Sequence, residues 1–417
     1  MGLGNTLMKI SIKVQDVVTL VQRFESSPRE AMRDLARHVQ EGARQTLEQI
    51  LRAEIEIFLG QEAEVDNKRN GFRTRTFGMK GLGTLRVRVP RDRNGHFESK
   101  IIRPGRRYDE EMEKDLALLN LAGLSTRTLS YLSRHLLGMR VSHQEVTNAL
   151  HKLVPAAKAF LERPLDRQKF QYLFLDGTNF WIRRTTVDKE PTLVVLGVDE
   201  TGRKSILAMV QGDKENRQAW EMVFSQLKER GLQVSEIQLG IMDGLPGLES
   251  AFKEAFVNAK AGRCWVHKAK NVFPLVPRRY QAAFKTSWDA VQYGDGKQEA
   301  QAAFETLKTQ WGANCAEAVE RMEKDLNALL VHYEFSKEHW DSLRTTNPIE
   351  RVNREFKRRS KSMGTMGPDG LKTLLAFTAL RLEFGWANTP ITSKKLPHLK
   401  NWHRREEHLD TIGGLIS

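Results

Sequence analysis

The segment Gln171-Tyr-Leu-Phe-Leu-Asp176-Gly-Thr-Asn-Phe-Trp181-Ile carries the strongest structural signal in the sequence, an apolar run that leads into one acidic residue and a glycine. Large apolar side chains at residues 172–175 predict a strand buried on both faces of a sheet, with Asp176 emerging at its end. Ligands of open α/β sheets bind at this edge of the sheet. Asp176 is therefore expected at a functional position.

A second stretch has the same design. Ile237-Gln-Leu-Gly-Ile-Met242 is strand-like, and it leads directly into Asp243 and Gly244. Two carboxylates at the ends of two core strands predict one shared metal site. The alternative is that each Asp-Gly pair is only a turn that ends a strand, because both residues are common in turns.

Composition indicates the kind of partner. The 417 residues include 66 Lys and Arg against 52 Asp and Glu, a net charge of +14, and 40% are hydrophobic, which is enough for real cores. A polyanion is the natural partner of such a chain, and nucleic acid is the first candidate, although a basic housekeeping protein has the same charge. The two cysteines are too few for a disulfide framework, and no apolar run is long enough to span a bilayer. We expect a cytoplasmic, nucleoid-associated protein with no membrane partner.

Two patterns precede the core strands. Residues 27–60 have apolar residues at helical spacing after a Ser-x-x-Glu capping box. The dipeptides Asn70-Gly71 and Asn94-Gly95 then predict turns, and Leu85-Arg-Val-Arg-Val89 predicts a strand with a basic face. This face suits DNA phosphates, but a solvated basic hairpin fits equally well. The candidate phosphate-binding residues here are Arg73, Arg75, Arg86, Arg88, Arg91 and Arg93.

A helix-turn-helix candidate follows. Residues 125–136 are predicted to be one short helix, Gly138 lies in a turn, and Ser142 with Glu145 forms a capping box that opens a second helix. Helical hairpins without a DNA role are common, but the basic charge favours DNA binding. The residues placed to read base edges are Gln144, Thr147 and Asn148.

The most regular part of the chain begins at Phe170. Residues 192–198 and 205–210 are predicted strands joined by a hairpin turn at Asp199, and a helix, the Asp243 strand and another helix follow. The order of elements is three strands, then a helix, a strand and a second helix. This order matches a ribonuclease H-like core. Residues 280–340 are polar and helix-forming, and we interpret them as a helical insertion into that core.

A third carboxylate lies on a well-specified helix after the insertion. Asn347 is expected to cap this helix, with Pro348 in its first turn and Glu350 three residues after the cap. Asn353 and two cations share a stripe with Glu350. Glu350 could be only a first-turn partner of the helix dipole, with the cations in solvent, but the basic density favours phosphates. The candidate phosphate-binding residues on this helix are Arg351, Arg354, Lys357, Arg358 and Arg359.

Taken together, the motifs resemble the Mutator-like family of insertion-sequence transposases, which belong to the DDE class. The resemblance covers most of the chain, and its members are weak singly but specific as a set. They are Val89-Pro-Arg-Asp-Arg-Asn-Gly95, Leu124-Ser-Thr-Arg127, Leu175-Asp-Gly177, Met242-Asp-Gly244, Cys264-Trp-Val-His267 and Thr345-Thr-Asn-Pro-Ile-Glu350-Arg-Val-Asn353.

The resemblance implies a catalytic and metal-binding triad of Asp176, Asp243 and Glu350. Carboxylates suit two Mg²⁺ ions, for which Mn²⁺ is expected to substitute. The expected reaction is hydrolytic cleavage at the terminal inverted repeats of a mobile element, followed by joining of the 3′ ends to target DNA. The resemblance implies that the chain acts on these DNA partners as a homodimer or higher oligomer.

The Cys264-x-x-His267 pair looks like a signature of the same family. Its spacing also permits a zinc site, although no second pair at zinc-finger spacing is apparent. We predict that Cys264, Trp265, His267 and Asn353 support the active site. Trp265 is expected to stack on an unpaired or distorted base, and Asn353 to orient Glu350 or the scissile phosphate. A packed cysteine and a structural histidine remain alternatives.

The predicted fold class is thus α/β, a ribonuclease H-like catalytic core with a helical insertion, preceded by helical and β-hairpin DNA-binding modules. Two other functions remain open: a helix-turn-helix DNA-binding regulator without catalysis, and a ribonuclease H-like structure-selective nuclease. The predicted segments are a helical module at 1–66, a basic β-hairpin at 67–106, a helix-turn-helix-like region at 107–165, the first part of the core at 166–279, the insertion at 280–342, the final core helices at 343–388 and a tail at 389–417.

Overall fold

A computed structural model describes residues 14–61, 67–212, 214–386 and 391. The chain divides into two compact units, residues 1–149 and 150–417, which we call the N-terminal and C-terminal units. The division falls inside the segment 107–165 that the sequence predicts as one module. The reason is that the helix at Val154–Leu161 packs against the last helix of the C-terminal unit. Nearly all of the predicted tail at 389–417 lies outside the described residues.

The N-terminal unit contains helices and one two-stranded hairpin. The helix predicted from residue 27 is confirmed, and a preceding helix that the sequence analysis did not identify begins at Val14. The described elements are α1 (Val14–Ser26), α2 (Pro28–Gln61), β1 (Arg69–Met79), β2 (Gly83–Asp92), α3 (Glu110–Leu121), α4 (Thr126–Leu137) and α5 (His143–His151).

Of the two turns predicted around the hairpin, one is absent, and the turn that joins β1 to β2 lies elsewhere. Asn70-Gly71 lies inside β1, so the turn predicted there is wrong. Gly71 has a φ of 68°, and the register with β2 shifts between Arg69 and Phe72, so this dipeptide forms a bulge in the strand. The chain reverses at residues 80–82, while the prediction at Asn94-Gly95 is confirmed by a bend.

β2 has the predicted basic face. Leu85, Val87 and Val89 are buried in a cluster with residues of α2, and Arg86 and Arg88 between them are exposed. This alternation follows from the two-residue repeat of a strand, because one face packs on α2 and the other meets solvent.

The C-terminal unit combines a five-stranded sheet with helices. No helix in the described part of the chain is long and apolar enough to cross a membrane. The elements are α6 (Val154–Leu161), β3 (Phe170–Arg183), β4 (Val187–Asp199), β5 (Lys204–Gln211), α7 (Arg217–Glu229), β6 (Leu239–Met242), α8 (Pro246–Ala255), β7 (Lys260–Arg263), α9 (Trp265–Val272), α10 (Gln281–Gln292), α11 (Lys297–Trp311), α12 (Ala316–Glu323), α13 (Leu326–Leu330), α14 (Trp340–Leu343), α15 (Asn347–Lys361) and α16 (Pro368–Trp386).

The sheet has the strand order β5-β4-β3-β6-β7. β3, β4 and β5 are antiparallel neighbours, whereas β6 is parallel to β3, and β7 is parallel to β6. The strand predicted to end at Asp176 continues to Arg183, because it pairs with β4 along its whole length. Its pairing with β6 stops at Phe174, so Asp176 lies just beyond the end of its parallel neighbour.

Two separate apolar clusters support this sheet and the predicted insertion. Leu173 and Leu175 of β3 pack with Trp220, Phe224 and Phe252 from α7 and α8. The region predicted as an insertion has its own core, in which its tryptophans are central. That core includes Trp265, Phe284, Trp288, Phe304, Trp311 and Leu330.

Candidate active site

Asp176 lies on β3 and is held by α15. Its Oδ2 accepts a hydrogen bond of 2.7 Å from Nδ2 of Asn353. The pKa of Asp176 is raised to about 6, chiefly by burial. The carboxylates of Asp243 and Glu350 act in the same direction, while the Asn353 hydrogen bond acts against it. The carboxylates of Asp243 and Glu350 therefore both lie close enough to Asp176 to affect its ionisation.

Asp243 immediately follows β6, in a turn. Its Oδ1 accepts a hydrogen bond of 3.1 Å from the backbone N of Leu245. Gly244 has a φ of 97°, and a side chain there would collide with the guanidinium of Arg263. The Asp243 side chain thus forms an Asx turn with the backbone two residues on, and its carboxylate also lies close enough to Asp176 to raise the pKa of Asp176.

Glu350 lies in the first turn of α15. Its Oε1 accepts a hydrogen bond of 3.0 Å from Oγ1 of Thr346, and Nε2 of His267 lies 3.6 Å from the same oxygen. The predicted cap is displaced by one residue, since Thr346 takes the N-cap position and Asn347 begins the helix. Thr346 makes no side-chain capping bond, because its hydroxyl faces Glu350 and the Cys264-x-x-His267 pair.

The Cys264-x-x-His267 pair contacts Glu350 through Thr346. Cys264 Sγ accepts a hydrogen bond from Thr346 N at 3.3 Å and lies 3.2 Å from Thr346 Oγ1, and His267 Nδ1 lies 3.3 Å from the same Oγ1. The hydrogen bond with Cys264 raises the pKa of His267, against burial. Burial alone raises the pKa of Cys264, but hydrogen bonds from His267 and Thr346 outweigh it and lower that pKa overall. This network fixes the position of Glu350.

The same network contains donors of the kinds that bind metal ions. Within the described ranges, Cys264, His267 and Glu350 form the group whose ligand atoms all lie within 4.8 Å of one another. Sulfur and nitrogen donors suit zinc better than Mg²⁺. A structural zinc site needs four donors, however, and this group supplies three. The donors are also already linked by hydrogen bonds through Thr346.

The structure revises two supporting residues. Trp265 is fully buried, and its Nε1 donates to the carbonyl of Leu329 at 2.8 Å. It packs edge to face with Trp288, so the predicted stacking on a base is wrong. Asn353 binds Asp176 rather than Glu350. The sequence placed Asn353 and Glu350 on one side of the helix, but it could not show which residue of the sheet this side of the helix contacts.

A fourth carboxylate that the sequence analysis missed lies beside the two aspartates. Glu215 precedes the N-cap of α7, and a side chain at Gly177 would collide with its carboxylate. Burial raises the pKa of Glu215, and the charges of Asp243 and Asp176 raise it as well. A single acidic residue in a loop has no periodicity, so only the fold could reveal its position.

The cations predicted on α15 fall into two groups. Arg351, Arg354 and Lys357 are exposed. Arg358 and Arg359 bind Glu355 at 2.8 and 3.1 Å, and Arg381 of α16 binds the same carboxylate. The second group is therefore paired within α15, and Arg381 ties the same carboxylate to α16, whereas the first group is available to an anionic ligand.

A polar cavity of about 860 Å³ adjoins Asp243. Two of its cations are already paired, since Arg263 binds Glu249 and Lys268 binds Asp325. Its wall on α12 carries Glu317, Glu320 and Glu323 together with Arg321, which lies 3.7 Å from Glu317. This side of the site is thus less suited to phosphate than the exposed face of α15.

In the N-terminal unit, one of the predicted phosphate-binding arginines has a structural role. The guanidinium of Arg75 donates to the carbonyls of Ile102, Arg103 and Arg106 at 2.9, 3.0 and 2.6 Å. Burial lowers its pKa. The other candidates are exposed, and they are Arg73, Arg86, Arg88, Arg91 and Arg93.

The predicted pair of short helices is present in the N-terminal unit. α4 ends at Gly138, whose φ is 70°, and the capping box at the start of α5 is formed by Ser142 and Glu145. Gln144 and Asn148 are exposed, and the Nε2 of Gln144 donates to Oδ1 of Asn148 at 3.1 Å. Thr147 is half-buried, and its hydroxyl donates to the carbonyl of His143.

Comparison with known proteins identifies the family. The family model described as "Transposase, Mutator family" matches residues 13–376. The transposase for insertion sequence element IS905 of Lactococcus lactis is 31% identical over 75% of this chain and 80% of its own length. The transposase for insertion sequence element ISRM5 of Rhizobium meliloti is 28% identical over 77% of this chain and 81% of its own. A likeness to the crystal structure of a pre-cleavage Mos1 transpososome, with a TM-score of 0.15 and 14% identity over 55% of this chain and 80% of that chain, is too slight to define the fold.

The chain belongs to the Mutator family of transposases, the enzymes of insertion-sequence elements. This agrees with the resemblance that the sequence motifs indicate.

Proposed function

We propose that this chain is a DDE transposase that binds the terminal inverted repeats of its mobile element, cleaves DNA by metal-dependent hydrolysis and joins the 3′ ends to target DNA. The observation that supports this most directly is the convergence of Asp176, Asp243 and Glu350. They come from β3, the end of β6 and α15, and the charges of Asp243 and Glu350 both raise the pKa of Asp176. A chain of a transposase family with carboxylates at this edge of a sheet fits phosphodiester chemistry.

We infer that the C-terminal unit is a ribonuclease H-like core with a helical insertion. Three antiparallel strands are followed by two parallel ones, in the order β5-β4-β3-β6-β7. Helices α10 to α14 then intervene before α15, which returns to pack on β3. The insertion folds around its own tryptophan-rich core, which explains how so many residues can separate Asp243 from Glu350.

Asp176, Asp243 and Glu350 would hold two Mg²⁺ ions. All their donors are carboxylate oxygens, which are the ligands that Mg²⁺ prefers. The raised pKa of Asp176 reflects buried negative charge that nearby cations would compensate, and Glu215 adds to that charge. The ions would activate the attacking oxygen and stabilise the leaving one.

The chain's own residues would orient these carboxylates and the DNA. Asn353 holds Asp176, and Thr346 with His267 holds Glu350, so the donors are fixed before substrate arrives. The exposed cations of α15 would bind phosphates of the strand being cut. Water attacks a phosphorus atom at the element end, and the bond to the 3′ oxygen breaks, leaving a 3′ hydroxyl and a 5′ phosphate. That hydroxyl then attacks a target phosphodiester, which releases a target 3′ hydroxyl.

DNA is thus the proposed partner in two ways, as element end and as target. The exposed arginines of β2 and the polar start of α5 would recognise the end. Since two ends of one element must be joined, we propose that at least two copies of the chain assemble on DNA.

Cleavage and joining with duplex DNA test this proposal. Purified protein is mixed with labelled duplex carrying the end of its own element and with a target plasmid, in Mg²⁺, Mn²⁺ or EDTA. Metal-dependent nicks at the element boundary together with joined products are expected. Binding without nicking in either metal would favour the DNA-binding regulator, and cleavage without joining would favour the structure-selective nuclease.

Single substitutions test the triad. Asp176→Asn, Asp243→Asn and Glu350→Gln each remove one charge and almost no volume, so we expect DNA binding to persist and cleavage to fall below detection. Asp199→Asn is the matched control, because Asp199 only accepts hydrogen bonds in the turn between β4 and β5. Normal cleavage by any of the three triad variants would remove that residue from the catalytic set.

A further inference from the structure

β3 carries an exposed tryptophan a short distance beyond the carboxylates. Trp181 follows Asp176 by five positions and is 58% exposed, whereas its neighbours Phe180 and Ile182 are buried. The alternation of the strand places its ring on the outer side, away from the apolar residues beside it. The ring is therefore an available stacking surface.

Trp181 lines a groove of about 520 Å³. The buried side chains of Phe180 and Leu371 give the groove an apolar lining, and exposed Lys357 and Lys361 of α15 border it. Asn179 and Ser360 add polar groups to its wall. The combination is an aromatic, apolar slot with two cations beside it.

The groove has a defined end. The segment after α15 closes it, because Arg183 N donates to the carbonyl of Met366 at 2.8 Å and the Arg183 guanidinium donates to Oγ1 of Thr365 at 2.8 Å. At the other end, β6 stops pairing with β3 at Phe174. In the described part of the chain, β3 has no strand partner on this edge between those two points.

The two lysines differ from their neighbours on α15. Arg358 and Arg359 are bound by Glu355, but Lys357 and Lys361 make no ion pair within the described residues. A ring that offers a stacking face and two free ammonium groups together match a nucleobase with its adjoining phosphates. A phosphate ligand alone would make no stacking contact with the tryptophan, and an apolar ligand would make no ionic contact with the lysines.

The groove lies within reach of a strand bound at the triad. Lys357 follows Glu350 by seven residues, about 10 Å along the helix. Trp181 lies five residues along the strand from Asp176, roughly 16 Å, and because five is an odd number its ring lies on the opposite face of the sheet from the Asp176 carboxylate, across the unpaired edge of β3. Stacked DNA advances about 3.4 Å per nucleotide, so these spans correspond to roughly three to five nucleotides.

We propose that this groove captures one base of the DNA strand near the cleavage site, swung out of the duplex and stacked on Trp181. Lys357 and Lys361 hold the phosphates beside it. Extruding a base requires unpairing and unstacking, which the new stack offsets. The inference rests on the proposed function, since it needs DNA bound at the triad. It adds a base-binding site that is separate from the triad.

Fluorescence of 2-aminopurine tests the capture without chemistry. Duplexes of the element end carry this base singly at each of the six positions on either side of the cleavage site, and full-length protein is added in Ca²⁺ to suppress cutting. We expect one position where Trp181→Ala gives several-fold higher emission than wild type, because the extruded base loses its quenching ring. Affinity should fall about 10-fold, within the range for losing one base–aromatic stack.

Three further measurements sharpen the outcome. Trp181→Phe should retain most of the affinity and quenching, and Tyr293→Ala, which removes an aromatic ring of equal exposure on the insertion, should behave as wild type. A mismatch at the captured position should tighten wild-type binding, because its base is already unpaired. If Trp181→Ala matches wild type at every position while both bind and cut the end, base capture is wrong and the transposase proposal stands. If wild type neither binds nor cuts the end, both proposals fail.

Discussion

At the scale of single residues, the site depends on side chains that hold the carboxylates rather than on the carboxylates alone. Asn353 and Thr346 each contact one member of the triad, at 2.7 and 3.0 Å. Both are buried and both come from the region of α15, so one helix positions groups on two sides of the site. This arrangement makes the site sensitive to changes that leave every charge in place.

Asn353→Ala should therefore lower cleavage without removing a proposed metal ligand. Loss of a group that orients a metal ligand usually costs about 10- to 100-fold in metal affinity or activity. We expect a fall of that size in the rate, with DNA binding unchanged. A higher Mg²⁺ concentration should recover part of the rate, which misfolded protein would not show. A rate equal to wild type at low Mg²⁺ would rule out a positioning role.

Glu215→Gln tests the carboxylate that the sequence did not reveal. The negative charge of Glu215 makes the electrostatic potential around Asp176 and Asp243 more negative, so removing this charge should weaken cation binding. We expect the Mg²⁺ concentration for half-maximal cleavage to rise about 10-fold, by analogy with other groups next to metal ligands. Glu221→Gln is the control, since Glu221 lies on the surface of α7 and pairs with Arg217. An unchanged Mg²⁺ requirement would place Glu215 outside the site's function.

At the scale of elements, each helix and strand has a separable physical role. The helices predicted as an insertion pack around a cluster rich in tryptophan. β2 has an apolar face on α2 and an exposed basic face, and α15 carries Glu350 and exposed cations. Their contributions can be measured separately because they depend on different forces.

The insertion should make stability depend on pH. His332 is 1% exposed; its Nδ1 lies 2.8 Å from the carbonyl of Leu329, and burial lowers its pKa from 6.5 to about 4. The unfolded chain takes up a proton below pH 6.5 that the folded chain excludes, so the free energy of unfolding falls as the pH drops from 6.5 to about 4. The full loss is about 3 kcal/mol. Urea unfolding of wild type and His332→Gln across this range should show a smaller pH dependence in the variant. Equal pH dependence would contradict this assignment.

The basic face of β2 should determine the salt dependence of DNA binding. Arg86 and Arg91 are exposed, so each would replace about one counterion on DNA. The double variant Arg86→Gln/Arg91→Gln should lower the slope of log affinity against log salt by about two, for any DNA sequence. Arg217→Gln should leave the slope unchanged, because Arg217 is paired with Glu221 and Glu254. An unchanged slope would show that the hairpin is a solvated surface that does not contact DNA phosphates.

At the scale of the whole molecule, the two units should divide recognition from chemistry. The N-terminal unit holds the basic hairpin and the α4–α5 pair, and the C-terminal unit holds all three triad residues. Gln144→Ala/Asn148→Ala should weaken binding to element ends relative to unrelated DNA, while saturating DNA restores the cleavage rate. Asp176→Asn should show the reverse, with normal affinity and no cleavage at any DNA concentration. The same defect in both variants would show that recognition and chemistry are not divided in this way.

Local sequence patterns were enough to predict the main strands, the helix of Glu350, the capping box of α5 and the alternation of β2. These features depend on local periodicity and on turn chemistry, which neighbouring residues encode. The sequence also indicated Asp243 and Glu350, which respectively follow a strand end and lie at a helix start, and Asp176, although β3 continues past Asp176 to Arg183. The Asn70-Gly71 turn failed for the same local reason, since a positive φ serves a bulge as well as a turn.

Which side chains contact one another depends on the folding of the whole chain. The fold places Asn353 on Asp176, Thr346 between Cys264 and Glu350, and Glu215 beside Gly177, and it buries Trp265 while leaving Trp181 exposed. The fold also places the guanidinium of Arg75 where it donates hydrogen bonds to three backbone carbonyls. These outcomes depend on how sheet order and the insertion bring distant segments together, and a contact between segments far apart in the chain leaves no periodic trace in one sequence.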